Sequence, residues 1–141
     1  MSATMKTGLF WALRLALGGL FLYAGVMKLG TPADFATEIA NYHLGNAFAP
    51  LGAVTMPTVE IVLGAALIVG TRPWVRAAAL GSASLLAIFT FAVATVVARG
   101  INVDCGCFGG GGDTSPEGRD LRYATEILRD LLFAGMAVWL V

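Results

Sequence analysis

The hydrophobic positions of this chain fall into four long apolar segments separated by shorter polar stretches. The segments cover about residues 8–29, 51–70, 74–98 and 119–141. An α-helix rises 1.5 Å per residue, so about 20 apolar residues cross the roughly 30 Å hydrocarbon core of a bilayer. The pattern therefore predicts an all-α integral membrane protein, a four-helix bundle that forms one transmembrane domain over residues 1–141.

The connections between these segments predict the rest of the topology. After the first span, Thr31-Pro32-Ala33-Asp34 is typical of a helix N-terminus and predicts a short interfacial helix. Spans two and three are joined only by Thr71-Arg72-Pro73, which predicts an antiparallel hairpin. The connection between spans three and four is a loop that contains both cysteines.

Composition narrows the class of partner. The chain is 57% hydrophobic and 13% charged, and its formal net charge is zero. Nucleic-acid binding needs a cationic surface, which this composition does not offer. The predicted partner is therefore the lipid bilayer, with no nucleic acid. Two cysteines are too few for a framework of structural disulfides.

The loop Asp104-Cys105-Gly106-Cys107-Phe108-Gly109 is the candidate for chemistry. Two thiols one residue apart favour a closed dithiol/disulfide couple, with Cys105 and Cys107 as the predicted catalytic residues. Gly106 allows a positive φ that folds the chain back for ring closure. The supporting loop residues are Asp104, Gly106, Phe108 and Gly109.

Two other interpretations of the cysteines stay open. Soft metals select thiolates, so Cu(I) or zinc could bind here if another chain completed the site. This chain alone does not supply the four ligands of a structural zinc site, so we predict no metal centre within it. The cysteines could also be inert small residues.

Among the charged residues of the predicted spans, four are expected at intramembrane depth: Arg14, Glu60, Arg129 and Asp130. Charges at this depth are costly unless they pair in the bundle interior. We predict that Glu60 pairs with Arg14, because consecutive helices usually pack side by side, and that Asp130 compensates Arg129. Two interpretations of this intramembrane polar cluster stay open, an interhelical clasp or a site for a quinone or for protons.

Four motifs together resemble those of a known family. They are Ala24-Gly25-x-x-Lys28-Leu29, Pro57-x-x-Glu60-x-x-x-Gly64, Cys105-Gly106-Cys107-Phe108-Gly109 and Arg129-Asp130. Over nearly the whole chain the sequence resembles the MauE family, within the wider DoxX-like group. The resemblance implies a bacterial inner-membrane protein with a periplasmic cysteine loop. It also implies a proposed part in maturing the disulfide-rich small subunit of methylamine dehydrogenase, beside thioredoxin-like periplasmic proteins.

The functional hypothesis combines the dithiol with this resemblance. We expect a membrane thiol:disulfide relay in which Cys105 and Cys107 exchange electrons with a periplasmic thioredoxin-like partner or a disulfide-containing client. A second redox agent would reset the couple, and a quinone is the candidate cofactor. The alternative is a non-enzymatic assembly or transport subunit, or a factor that passes on Cu(I). The sequence decides neither the client nor the oligomeric state.

Overall fold

The computed structural model describes residues 2–45, 47–103 and 117–141. Within these ranges the chain forms helices joined by short connections. The five helices are α1 (Ala3–Gly30), α2 (Pro32–Asn41), α3 (Phe48–Val69), α4 (Arg72–Ala98) and α5 (Arg119–Trp139). The all-α prediction is confirmed, and α2 lies where a short helix was expected.

Local sequence explains where these helices begin. The side chain of Ser2 accepts a hydrogen bond from the backbone N–H of Met5 and so caps α1. Proline occupies the first turn of both α2 and α4, where its missing N–H costs nothing. Pro57 is the exception, because it lies inside α3.

Three helices are long and apolar enough to cross a membrane: α1, α3 and α4. This composition defines a multi-pass membrane protein. Helix α5 is 21 residues long but is not one of the three, because its first half is rich in charged residues. Many large apolar side chains of α1, α3 and α4 are exposed, as expected for surfaces that face lipid.

The long helices pack in sequence around a common core. Helix α1 packs mainly on α3, and α4 packs mainly on α5. A smaller contact between α3 and α4 joins the two pairs, and a still smaller one between α5 and α1 completes the arrangement. Helix α2 packs on α3 beyond the end of α1. The largest core cluster includes Leu17, Phe21, Leu67 and Leu86.

Glycines allow α1 and α3 to approach until their backbones touch. A Cβ atom on Gly25 would lie only 2.8 Å from the Pro57 carbonyl oxygen, and one on Gly64 only 2.7 Å from the Gly18 carbonyl oxygen. In a membrane the hydrophobic effect does not drive helices together, so small residues that allow close van der Waals contact stabilise their packing. Gly19 differs from these glycines, because it is exposed and a Cβ atom there would meet nothing within 4 Å.

Candidate functional site

The centre of the site is an ion pair between α1 and α3. The Lys28 Nζ atom lies 2.5 Å from Glu60 Oε1, and the two residues are only 1% and 3% exposed. Glu60 lies 12 residues after the start of α3 and nine before its end, which places it about 18 Å and 14 Å along the helix from those ends. The pair is therefore near the middle of the span.

Aromatic rings from two other helices lie close to the ammonium group of Lys28. Its ammonium group lies 5.2 Å from the ring centroid of Phe35 in α2 and 5.1 Å from that of Phe89 in α4. Both distances are within the range of cation–π attraction. Lys28 therefore joins three helices to α1, through Phe35, Phe89 and Glu60.

The predicted pair of Glu60 with Arg14 is not formed. Arg14 instead donates hydrogen bonds to the backbone carbonyls at the end of α3, those of Leu67, Ile68 and Gly70. The contact of Gly25 with Pro57 sets the register of α1 on α3 and brings Lys28 beside Glu60. Arg14 lies 14 residues earlier on α1, about 21 Å away along the helix axis.

The second charged group lies on α5. Arg129 Nη2 is 2.5 Å from Glu126 Oε2 and 3.2 Å from Asp130 Oδ1, so the expected local compensation of Arg129 by Asp130 is present and Glu126 adds to it. Asp130 is 3% exposed, whereas Arg129 and Glu126 are partly exposed. Asp130 thus turns towards the other helices.

A small cavity brings the two charged groups together. Its volume is about 30 Å³, it is enclosed only in part, and it is lined by Leu20, Phe21, Ala24, Lys28, Glu60, Leu86, Phe89, Arg129, Asp130 and Phe133. Three of the four predicted polar residues therefore share one site, and Arg14 does not belong to it.

Two acceptor atoms at this cavity lack hydrogen-bond partners among the described residues. They are Glu60 Oε2 and Asp130 Oδ2, and both atoms are fully buried. A buried polar atom without a partner costs free energy, because it has lost its hydrogen bonds to water. Chemically, the arrangement can accept hydrogen bonds from a hydroxyl group or a water molecule, or hold a proton.

The predicted cysteine loop lies outside the described residues, and with it all six of its predicted site residues: Asp104, Cys105, Gly106, Cys107, Phe108 and Gly109. The described chain stops at Val103 and resumes at Glu117. Within the described part, no three His, Cys, Asp or Glu side chains gather in a group that could hold a metal ion.

The described chain on either side of the loop is held together by one tyrosine. The Tyr123 hydroxyl of α5 accepts a hydrogen bond from the Val103 N–H at 3.0 Å, and its oxygen lies 3.0 Å from the Ile101 carbonyl and 3.1 Å from the Val103 carbonyl. Arg119 adds longer contacts to Gly100 and Asn102. The chain leading to the cysteines is therefore attached to the first turns of α5.

Sequence reasoning missed two functional residues, Lys28 and Tyr123. One signal for Lys28 was available: it lies three positions after Gly25, and residues three apart share a helix face, so Lys28 could be assigned to the face of α1 that carries Gly25. Its pairing with Glu60 could not be foreseen, because α1 and α3 run antiparallel and the two residues lie on opposite sides of the Gly25–Pro57 contact along the helix axes. For Tyr123 no local signal exists, since its role depends on where residues 101–103 lie.

The fold and site define a class: a helical multi-pass membrane protein with a buried polar cluster beside a partly open cavity. Residues 6–141 match the family described as "Methylamine utilisation protein MauE". The chain belongs to the MauE family, which confirms the resemblance drawn from the four motifs. No solved structure matches the chain.

Two curated relatives carry the same name, methylamine utilization protein MauE. The protein from Paracoccus denitrificans is 36% identical over 103 residues, which cover 72% of this chain and 54% of the relative. The protein from Methylophilus methylotrophus is 34% identical over 142 residues, covering 98% of this chain and 67% of the relative. The chain thus spans about half of the first relative and two thirds of the second.

Proposed function

We propose that this protein is a membrane thiol:disulfide relay. In the oxidising direction, the Cys105–Cys107 disulfide accepts two electrons and two protons from a client dithiol, so the client gains a disulfide and the relay becomes a dithiol. A quinone then takes two electrons and two protons from that dithiol and leaves as hydroquinone, which restores the disulfide. The client is a periplasmic thioredoxin-like protein or a maturing, disulfide-containing protein.

The attachment made by Tyr123 is the observation that carries this proposal. A dithiol that serves two partners has to remain close to the membrane domain and still meet a client. The hydrogen bonds of Tyr123 and Arg119 hold residues 100–103 against the start of α5, so Val103, the last described residue before the cysteines, has a defined place beside this helix. Membership in a family named for methylamine utilisation supports a role in maturing an enzyme of that process.

The proposal includes a membrane arrangement. Helix α5 is the fourth span: its 21 residues are about 31 Å long, and its most buried charge, Asp130, faces the other helices. Helix α2 lies at the interface, and the cysteine segment lies on the periplasmic side of the bacterial inner membrane. The ends of α1 and α4 and the starts of α3 and α5 then share that side.

Trapping of mixed disulfides tests the relay. In cells that carry Cys107→Ser, the remaining thiol of Cys105 attacks a client disulfide but cannot resolve the product, so a reducible adduct should accumulate in the membrane fraction. The matched control is the double variant Cys105→Ser/Cys107→Ser, which should give none. Adducts are measured on non-reducing gels after acid quenching.

The absence of adducts from both single-cysteine variants, Cys107→Ser and Cys105→Ser, would contradict the relay and favour the alternative of an assembly subunit or Cu(I)-passing factor.

A labelling experiment tests on which side of the membrane the cysteines lie. A membrane-impermeant maleimide, applied to intact spheroplasts after mild reduction, should modify the parent protein. Labelling that requires permeabilised membranes would overturn the periplasmic assignment.

A further inference from the structure

The Lys28–Glu60–Asp130 cavity has features of a binding site that the ion pairs alone do not explain. Glu60 and Asp130 come from different helices, each has one oxygen bonded to a cation, and each has a second, fully buried oxygen without a partner among the described residues. Two unpartnered acceptors at one cavity call for a ligand that donates hydrogen bonds.

The charges around the cavity restrict what that donor is. Lys28 and Arg129 line it beside Glu60 and Asp130, so the charges of the lining balance and an added cation would remain uncompensated among apolar walls. A neutral donor has no charge to compensate. A hydroxyl group is therefore favoured over an ammonium group or a metal ion.

The walls and the depth restrict the rest of the ligand. Apart from the charged groups, the cavity is lined by aliphatic and aromatic side chains, among them Phe21, Phe89 and Phe133. It lies near the middle of α3 and is open on one side. The space of about 30 Å³ admits a hydroxyl group but not a whole ring, so the ring of the ligand would lie outside this space.

We propose that this cavity binds the hydroxyl end of a hydroquinone, the reduced form of a membrane quinone. The identity of the ligand rests on the proposed function, in which a quinone receives the electrons of the dithiol. The site itself lies on α1, α3, α4 and α5, and Asp130 follows Tyr123 by seven residues, about 10 Å along α5 from the attachment of the cysteine segment.

A site of this kind prefers the reduced form of its ligand. Glu60 Oε2 and Asp130 Oδ2 are acceptors, and a hydroquinone hydroxyl donates to them whereas a quinone carbonyl does not. Tighter binding of the reduced form raises the reduction potential of the bound couple, by about 30 mV for each tenfold difference in affinity. Bound quinone is then a better oxidant for a dithiol than free quinone.

The test measures binding in protein that lacks both cysteines, Cys105→Ser/Cys107→Ser, so that it does not depend on the relay. The probes are ubiquinol and ubiquinone with one isoprenoid unit, titrated calorimetrically into detergent-solubilised protein with detergent blanks. Ubiquinol should bind at least tenfold more tightly than ubiquinone. Equal affinities, tighter ubiquinone binding or no binding would overturn the proposal and leave a cavity that holds only water.

Substitutions locate the site. Asp130→Asn places an N–H donor where Oδ2 stands, so ubiquinol binding should weaken about 10- to 100-fold, the loss expected for a hydrogen bond to a charged group, whereas ubiquinone binding should not weaken. Ser82→Ala is the matched control, because Ser82 Oγ is also buried and unpartnered within the described chain but does not line the cavity. Its affinities should equal those of the parent.

A second variant keeps the test decisive if Asp130→Asn does not fold. Ala24 lines the cavity, and Ala24→Leu fills the space without removing a charge, so it should weaken both ligands to a similar extent. Unchanged affinities in Ala24→Leu would contradict binding at this cavity. The outcomes separate from those of the relay: mixed disulfides without ubiquinol binding refute only this site, and ubiquinol binding without mixed disulfides refutes only the relay.

Discussion

Arg14 and Lys28 are two buried cations on the same helix, yet the structure uses them differently. Lys28 pairs with a carboxylate near the middle of α3, whereas Arg14 donates to main-chain carbonyls at the end of α3. Arg14 also lies against aromatic rings, 4.6 Å from the Trp11 ring centroid. The difference follows from position along α3 rather than from residue type.

The two positions present different electrostatic needs. The last carbonyls of a helix have no intrahelical partners and carry partial negative charge, so a cation satisfies them with no carboxylate required. In the middle of α3 all carbonyls except the one freed by Pro57 are used within the helix, and Glu60 carries a full charge. A buried full charge requires a full countercharge, and Lys28 supplies it.

The largest expected effect comes from separating the Lys28–Glu60 pair. Lys28→Met leaves the carboxylate of Glu60 buried without its countercharge and should lower the free energy of unfolding by about 3 to 5 kcal/mol. The double variant Lys28→Met/Glu60→Leu removes both charges and should recover most of that loss. Unfolding is followed by circular dichroism during titration with a denaturing detergent.

The same cycle with Arg14 is the matched control. Arg14 and Glu60 lie far apart on the packed α1–α3 pair, so the losses of Arg14→Met and Glu60→Leu should simply add in the double variant. Strong coupling of Glu60 to Arg14, with none to Lys28, would restore the pairing predicted from the sequence and contradict the helix register described here.

An intermediate effect is expected at the glycine contact that sets this register. In Gly25→Ala the new Cβ would lie 2.8 Å from the Pro57 carbonyl oxygen, so α1 and α3 must separate, and stability should fall by about 1 to 3 kcal/mol. In Gly19→Ala the new methyl group meets nothing within 4 Å. That control should be slightly more stable than the parent, because alanine favours a helix. The same denaturing-detergent titration measures both, and equal effects would show that the close approach is unimportant.

The smallest effect is expected at the end of α3. Arg14→Met removes hydrogen bonds to carbonyls near a helix terminus, where other donors can partly replace them, and should cost about 1 to 2 kcal/mol. Arg14→Lys keeps the charge and should recover part of the loss. Thermal unfolding in mild detergent compares these variants with Lys28→Met. A loss in Arg14→Met as large as that in Lys28→Met would remove the distinction between the helix end and the helix middle.

Local patterns account for the helices and for most of the cluster. The apolar segments, the prolines at helix starts and the charges inside the spans all have short-range physical causes, so Glu60, Arg129 and Asp130 could be singled out before any packing was known. Lys28 could not, because it lies near the end of the first apolar segment, where a lysine is usually exposed to water or headgroups. In the structure α1 continues to Gly30, and Lys28 is buried between the helices.

The sequence by itself determined the class of the protein, because the length and apolarity of a segment decide whether it suits a bilayer. It also determined which residues need partners, since a charge in an apolar segment is costly wherever the segment packs. Only the tertiary structure decided which residues pair with these charges. Pairing depends on how far one helix is shifted along the next, and backbone contacts of glycines and Pro57 between α1 and α3 fix that shift. With this shift, Lys28 pairs with Glu60, and Arg14 lies at the end of α3.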